Sequence, residues 1–240
     1  MKQAVILAGG RGSRLGALTD LCPKPMVMVN GYPFLRHLIL MLKDRGISDI
    51  VILVGYLGGK IMEYFSDGST LGLTIRYSSG AVDMETGTRL KNAAELLEDK
   101  FLLLYCDNYW PLDLDRMTEF YDRSGALFMT TVYNNTDGRG EYGYENNIML
   151  DKEGFVVKYD KQRREKGLNG VDIGFFVLDK KILEFIPDGN ISFEKDVLPV
   201  IAAKRLLAAY RTDAGYYYIT TERDLTVTAE FLSTMDITTK

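Results

Sequence analysis

Short apolar runs alternate with longer amphipathic ones through the first half of the chain. The apolar runs, which are nearly continuous, predict buried strands at 3–8, 49–55, 73–79 and 100–108. The amphipathic runs predict helices at 32–46, 58–68 and 85–99. Strands and helices in alternation favour a parallel sheet that helices cover on both faces.

The second half of the chain changes character, because strand-like runs follow one another more closely. Strands are predicted at 126–134, 147–161, 170–179, 206–211 and 215–219, and helices at 180–187, 192–204 and 220–235. The run at 147–161 reads as a hairpin around Gly154, and Thr221 with Asp224 is typical of a helix cap. We expect one continuous α/β domain over 1–240, in which the later strands complete the sheet and shape a second half of the cleft.

Composition narrows the class of protein. The 240 residues are 46% hydrophobic and 26% charged, with a formal net charge of −4. This balance disfavours non-specific binding to nucleic acid or to a membrane surface. The chain starts directly with a strand-like run and has no apolar run of membrane-spanning length, so the expected compartment is the cytoplasm.

Few residues are available for nucleophilic or zinc chemistry. Cys22 and Cys106 lie far apart without a CxxC spacing, and His37, the only histidine, lies in an apolar helical run. A zinc site and a Ser-His-Asp or Cys-His pair are therefore disfavoured. Any metal would be held by carboxylates, which favours a hard ion such as Mg²⁺.

A glycine-rich turn follows the first predicted strand. Gly9, Gly10 and Gly12 stand there, with Arg14 and Lys24 further on. Ligands of open α/β sheets bind at the carboxyl ends of the strands, and glycines let backbone N–H groups approach phosphate oxygens. A helix expected to begin near residue 13 would add partial positive charge. The turn predicts a phosphate site.

Two familiar phosphate motifs do not match this turn. The GxxxxGK[ST] spacing of a P-loop is absent, and Leu15 stands where a dinucleotide fingerprint needs its third glycine. A triphosphate cradle remains, in which Arg14 and Lys24 neutralise phosphates and Arg11 is an accessory or solvated charge.

The segment LAGGRGSRL, followed by PKPM, resembles the signature of the sugar-1-phosphate nucleotidyltransferases, with Ser13 in place of the usual threonine. The resemblance runs from about residue 4 to about 225. It implies a Rossmann-like three-layer sandwich with a mostly parallel mixed sheet, of GT-A-like architecture. It further implies a nucleotide-binding half at 1–110 and a sugar-phosphate-binding half with the closing helix at 111–240. It also implies Mg²⁺-dependent transfer of a nucleoside monophosphate from a nucleoside triphosphate to a sugar 1-phosphate, with release of pyrophosphate.

The resemblance implies roles for individual residues. Arg14, Lys24 and Asp107 would be catalytic, and Asp107 would also bind the metal. The nucleotide would lie on Leu7, Ala8, Gly9, Gly10, Gly12, Ser13 and Gly87. Arg89 and Lys91 read as charges on a helix face.

On the sugar-phosphate side the implied residues are Asp160, Lys161, Asp172, Gly174 and Glu194. The family usually has a second metal-binding aspartate where this chain has Tyr218. We expect Asp107, phosphates and water to hold the metal, and Asp213 is the alternative carboxylate. The aromatic clusters at 108–110 and 216–218 are interpreted as packing rather than as stacking platforms.

The nearest subgroup resemblance is to enzymes that join heptose 1-phosphate to GTP for the cell envelope. Three alternatives stay open: another uridylyl-, cytidylyl- or thymidylyltransferase, a cytidylyltransferase acting on choline phosphate or a phosphonate, and a non-catalytic nucleotide-binding regulatory subunit. Substrates are the expected partners, without nucleic acid or membrane. The oligomeric state stays open.

Overall fold

The computed structural model describes residues 1–235. A seven-stranded sheet forms the centre of this part of the chain. The strands are β1 (Gln3–Ala8), β2 (Met28–Val29), β3 (Tyr32–Pro33), β4 (Asp49–Val54), β5 (Thr74–Ser79), β6 (Lys100–Tyr105), β7 (Asn108–Tyr109), β8 (Phe128–Tyr133), β9 (Ile148–Leu150), β10 (Val156–Tyr159), β11 (Val171–Asp179), β12 (Leu207–Thr212) and β13 (Tyr217–Tyr218). The α-helices are α1 (Phe34–Asp44), α2 (Gly58–Phe65), α3 (Thr86–Asn92), α4 (Leu114–Ser124), α5 (Leu198–Ala203) and α6 (Glu222–Ser233).

The large sheet has the strand order β12-β8-β11-β6-β1-β4-β5. β1 pairs in parallel with β4 and β6, β4 with β5, and β8 with β12. β11 is antiparallel to both of its neighbours, β6 and β8. The predicted mostly parallel mixed sheet is confirmed.

Hydrophobic residues bury both faces of this sheet. Along β1, Ile6 belongs to the core of one face while Val5 and Leu7 belong to the core of the other. Helices α1, α2, α4 and α6 contribute to the first core, and α3 and α5 to the second. Because β1 is buried on both sides, its sequence is continuously apolar, and the expected three layers follow.

Three local predictions in the second half are confirmed. β9 and β10 form an antiparallel hairpin. Thr221 accepts from the backbone N–H of Asp224, whose side chain accepts from the N–H of Thr221, which is a complete capping box for α6. The short strand β13 pairs with β7 and sets Tyr218 opposite Asn108.

Four predicted helices differ from the structure. The run at 180–187 forms a 3₁₀ helix, Lys180–Phe185, and the run at 192–204 forms a π-helix, Phe193–Val197, followed by α5. The chain after the glycine-rich turn forms a 3₁₀ segment, Ser13–Thr19, that Gly16 interrupts with φ 57° and ψ −135°. The α-helix predicted to begin near residue 13, and with it the expected helix dipole, was wrong. Gly16 takes a backbone conformation that an α-helix does not allow. The run at 85–99 gives only α3 and a separate 3₁₀ turn, Ala94–Leu96.

No helix within residues 1–235 is both long and apolar enough to cross a bilayer.

Candidate active site

A cleft of about 710 Å³ opens where β1 and β6 end. The two strands are parallel neighbours, so the turn after Ala8 and the residues after Tyr105 meet at one edge of the sheet. The lining includes Leu7, Gly9, Gly10, Arg11, Gly12, Arg14, Lys24, residues 82–86, Arg89, residues 105–107 and Glu194. The glycines and cations that the sequence predicts for phosphate binding therefore line a cleft at this edge of the sheet.

An ion pair between Lys24 and Asp107 stands in this cleft. The Nζ atom of Lys24 lies 2.6 Å from Oδ2 of Asp107. Lys24 is only 6% exposed, whereas 27% of the Asp107 side chain is exposed. Lys24 begins a short 3₁₀ turn, Lys24–Met26, in which Met26 is buried, so the ammonium group is held in place by packing of the turn. The pair brings together two of the three predicted catalytic residues.

Arg14 bonds to a loop that comes from the second half of the chain. Its Nη1 donates to Oε1 of Glu141 at 2.9 Å and to the hydroxyl of Tyr142 at 3.0 Å. Glu141 also accepts from the hydroxyl of Thr220 at 2.8 Å. Glu141 was not a candidate in the sequence. The signal available was the glycine-rich composition of 138–143, a mark of a loop with backbone turns.

The predicted nucleotide-binding residues divide into two groups. Leu7 and the three glycines of the turn line the cleft, whereas Ala8 is buried in β1 and is not part of the lining. The side chain of Ser13 lies outside the described residues. These nucleotide-binding roles stay predictions.

Gly87 lies away from the cleft lining. Its backbone N–H donates to the carbonyl oxygen of Ile191 at 2.9 Å, and a Cβ at position 87 would lie 2.8 Å from that oxygen. A side chain would therefore push α3 away from the segment around Ile191. This contact gives a packing reason for glycine, separate from the predicted nucleotide contact.

A smaller cavity of about 140 Å³ shares part of its wall with the cleft. Asp107, Arg14, Tyr105 and Glu194 line both spaces. The smaller cavity is also lined by Asn108, Glu141, Tyr142, Asn147, Lys161, Arg163, Asp172 and Gly174. Four predicted sugar-phosphate residues, Lys161, Asp172, Gly174 and Glu194, are thus brought together beside Asp107.

Asp172 is held by a network at the start of β11. One carboxylate oxygen accepts from the hydroxyl of Thr130 at 2.8 Å and from the N–H of Gly174 at 3.0 Å. The other accepts from the hydroxyl of Tyr159 at 3.0 Å. Desolvation raises the pKa of Asp172 to about 6 against these hydrogen bonds, with a further contribution from the charge of Glu194.

Lys161 and Asp160 differ in what they contact. Lys161 pairs with Glu194 across the smaller cavity. The carboxylate of Asp160 accepts from the backbone N–H groups of residues 162, 164 and 165. Desolvation alone would raise the pKa of Asp160, but these N–H groups hold it below its ordinary value. Asp160 thus holds the turn that presents Lys161, and the structure does not bring it into the cavity lining.

The backbone of Tyr218 lies beside the predicted metal ligand, while its side chain lines a separate cavity of about 890 Å³ that Asp107 does not line. Tyr218 is the register partner of Asn108, and the N–H of Ile219 donates to the carbonyl oxygen of Asp107 at 3.1 Å. Within residues 1–235, no group of three or more His, Cys, Asp or Glu side chains is arranged to hold a metal ion. At phosphate-binding sites Mg²⁺ is usually bound by one or two carboxylates plus phosphates and water. The partly exposed carboxylate of Asp107 fits that requirement.

The burial of Trp110 and Arg89 decides two interpretations of side chains. Tyr109 and Trp110 are each 2% exposed, which confirms that they pack in the core. The interpretation of Arg89 as a helix-face charge was wrong, because this residue is 4% exposed and lines the cleft. The sequence misled because α3 is a single short helix, too short for periodicity to separate its faces.

Comparison with known proteins gives the family. The model described as "Nucleotidyl transferase" matches residues 3–219. A probable glucose-1-phosphate cytidylyltransferase of Bacillus subtilis is 30% identical over 245 residues, covering 93% of this chain and 93% of that protein. The D-glycero-alpha-D-manno-heptose 1-phosphate guanylyltransferase of Campylobacter jejuni is 30% identical over 196 residues, covering 80% of this chain and 83% of that protein.

The fold has a solved counterpart as well. The crystal structure of HddC from Yersinia pseudotuberculosis matches with a TM-score of 0.82 and 27% identity, covering 97% of this chain and 100% of that one. The chain belongs to the nucleotidyl transferase family. The resemblance to sugar-1-phosphate nucleotidyltransferases, read from the glycine-rich turn, is confirmed.

Proposed function

We propose that this protein transfers a nucleoside monophosphate from a nucleoside triphosphate to a sugar 1-phosphate, with GTP and heptose 1-phosphate as the first choice. The observation that carries the proposal is the position of Asp107, which lines both cavities and is paired with the buried Lys24. The cleft on the glycine-rich turn takes the triphosphate. The smaller cavity takes the sugar phosphate, so the two reactants meet at Asp107.

The reaction needs alignment and charge neutralisation and no covalent intermediate on the protein. An oxygen of the sugar phosphate attacks the α-phosphorus, forming one P–O bond as the bond to the β-phosphate breaks and pyrophosphate leaves. Lys24 neutralises charge that gathers around the α-phosphate, and Lys161 orients the phosphate of the sugar. Phosphoryl-type transfers gain most of their rate from such positioning.

Asp107 is the residue that would hold Mg²⁺, together with substrate phosphates and water. The bound ion would supply neutralisation of phosphate charge. Lys24, which contacts the same carboxylate, keeps Asp107 aimed into the cleft before substrate binds.

Two ion pairs would exchange partners on binding. Arg14 is held by Glu141, and Lys161 by Glu194. Phosphate oxygens are stronger acceptors for these cations in the same cleft, because they carry more charge and Arg binds them bidentately. In this proposal each carboxylate releases its cation to a phosphate, and Glu194 then accepts from sugar hydroxyls.

The choice of GTP and heptose 1-phosphate is supported by the Campylobacter jejuni relative, whose name gives that activity. A glucose-1-phosphate cytidylyltransferase is the second candidate, because the Bacillus subtilis relative matches over 93% of both chains. The proposed nucleotide sugar would serve cell-envelope glycan synthesis in the cytoplasm.

Pyrophosphate release tests the proposal. GTP, CTP, UTP, dTTP and ATP are each paired with the 1-phosphates of heptose, glucose and mannose in the presence of Mg²⁺. We expect the highest kcat/KM for GTP with heptose 1-phosphate. If no pair gives turnover while the nucleotides still bind, the non-catalytic regulatory alternative replaces this proposal.

A further inference from the structure

Arg89 is a buried cation that forms no ion pair within residues 1–235. Its guanidinium group donates to the carbonyl oxygens of Val54 at 2.9 Å and Ala81 at 2.6 Å. Longer contacts of 3.4 Å reach the carbonyls of Gly9 and Val82. Burying a charge costs free energy, and the nearby charges of Asp83 and Glu85 offset that cost only in part, since desolvation still lowers the pKa of Arg89.

Three glycines form the slot that holds this guanidinium. A Cβ at Gly9 would lie 2.3 Å from Cζ of Arg89, and one at Gly55 would lie 2.6 Å from Nη2. A Cβ at Gly80 would lie 3.0 Å from Nη1. The three glycines come from three separate segments, after β1, β4 and β5, so the space for Arg89 is built by the fold as a whole.

The hydrogen bonds of Arg89 leave one edge of the guanidinium free. All four carbonyl contacts are made by Nη1 and Nη2, and Nε has no acceptor among the described residues. Unlike Nε of Arg163, Nε of Arg89 is not sealed from solvent. Arg89 lines the cleft, and its Nε lies on the side of Gly9, which lines the same cleft. A charged donor is therefore presented to whatever fills that part of the cleft.

The glycine-rich turn runs along the cleft from Arg89 to Lys24. Its first glycine, Gly9, contacts Arg89, and its last, Gly12, lies against the side chain of Lys24. If the triphosphate lies at the Lys24 end, as the proposed function requires, the nucleobase lies at the Arg89 end beside residues 82–86. This step rests on the proposed function.

We infer that Arg89 is a specificity-determining residue that reads the nucleobase and favours one with two neighbouring hydrogen-bond acceptors, cytosine or guanine. Cytosine presents O2 beside N3, and guanine presents O6 beside N7. Uracil and thymine place an N–H between their carbonyls, and adenine places an amino group beside N7. The cationic N–H of Arg89 attracts both acceptors on the cytosine or guanine edge. It repels the N–H of uracil and thymine and the amino group of adenine.

Equilibrium binding of five nucleotides to the whole protein tests this inference without requiring turnover. CTP and UTP form one matched pair, and GTP and ATP the other, because each pair shares its ribose and phosphates. By calorimetry with Mg²⁺, we expect CTP or GTP to bind most tightly and to exceed the other member of its pair by roughly tenfold. If UTP, dTTP or ATP binds most tightly, the inference is wrong, although the transferase proposal survives.

The variant Arg89→Gln separates base reading from a structural role. Glutamine keeps planar N–H donors but removes the charge, and we expect the preference within the favoured pair to fall below about threefold. A purely structural arginine would weaken all five nucleotides by the same factor, which would overturn the inference. Thermal unfolding shows whether the variant folds. If it does not, the wild-type series still decides the question.

Discussion

Lys24 and Asp107 form a 2.6 Å ion pair in which the cation is buried and the anion is partly exposed. The asymmetry matters because water can replace Lys24 as a partner of Asp107, whereas among residues 1–235 the buried ammonium group has Asp107 as its one ion-pair partner until a phosphate enters the cleft. The carboxylate is therefore the more accessible member of the pair for a metal ion. Lys24 orients it from the wall of the same cleft, where the ammonium group also meets substrate phosphates in the proposed reaction.

Replacing Lys24 with methionine tests the catalytic half of this relationship. Lys24→Met keeps the aliphatic stem but removes the charge, so kcat/KM should fall by about a hundredfold or more, as for other lost phosphate-neutralising groups. Asp107→Asn should be the less stable of the two variants in thermal unfolding, because it leaves the ammonium group buried without a counter-charge.

A matched control for Lys24 is the surface pair of Lys100 with Asp122, at 2.8 Å. Lys100→Met should leave both kcat/KM and the melting temperature close to wild type, since exposed pairs contribute about 1 kcal/mol or less. A comparable loss of activity in Lys100→Met would show that the effect at Lys24 is not specific to the cleft.

Two arginines in one turn should differ in their effect on nucleotide binding. Arg14, which lines both cavities, is proposed to move from Glu141 to the triphosphate, so Arg14→Ala should raise KM for the nucleotide by at least about tenfold. Arg11 is exposed and lies over the ring of Tyr56, 5.0 Å from its centroid, so Arg11→Ala should change KM by less than about threefold. Equal effects of the two substitutions would refute the assignment of Arg14.

The tyrosine beside Asp107 offers a test of metal binding. In Tyr218→Asp a second carboxylate would stand on β13 opposite Asn108, the neighbour of Asp107, and the Mg²⁺ concentration for half-maximal turnover should fall several-fold. Tyr218→Phe is the control and should leave that concentration unchanged. An unchanged requirement in the aspartate variant would mean that position 218 does not reach the metal.

Asp172 should make stability depend on pH. Its pKa in the folded protein is raised to about 6 from an ordinary 3.8, so the folded state holds a proton that the unfolded state has lost. Stability attributable to this group is present below pH 3.8 and is lost as the pH rises through about 6. Asp172→Asn removes that loss. The melting temperature of Asp172→Asn minus that of wild type should therefore increase between pH 4 and pH 7 and then level off. A difference that does not change with pH would contradict the prediction.

The sheet and the edge that carries the cleft were predictable because they rest on local patterns. Continuous apolar strands that alternate with amphipathic helices leave few topologies, and the turn after β1 has to meet the end of a parallel neighbour. Thr221 and Asp224 were readable for the same reason, since a capping box is encoded within four residues.

The contacts that the sequence did not reveal join distant segments. Glu141 reaches Arg14 across 127 positions, and nothing in the local composition of either segment indicates that partner. Arg89 reads as a solvated helix charge, because only the packed structure shows that three glycines from separate loops leave room for its guanidinium. The pattern of residues within a segment predicts the secondary structure of that segment. Contacts between distant side chains depend instead on how the loops approach one another.

The slot around Arg89 constrains the order in which substitutions at positions 9 and 89 can arise during evolution. Alanine at position 9 would place its Cβ inside the guanidinium, so that substitution is blocked while Arg89 is present. Loss of the arginine has no such steric obstacle and would open the slot to side chains at position 9. Descendants that exchange the arginine for a small residue can thus refill the space afterwards, but a lineage that has filled it cannot readily regain the arginine.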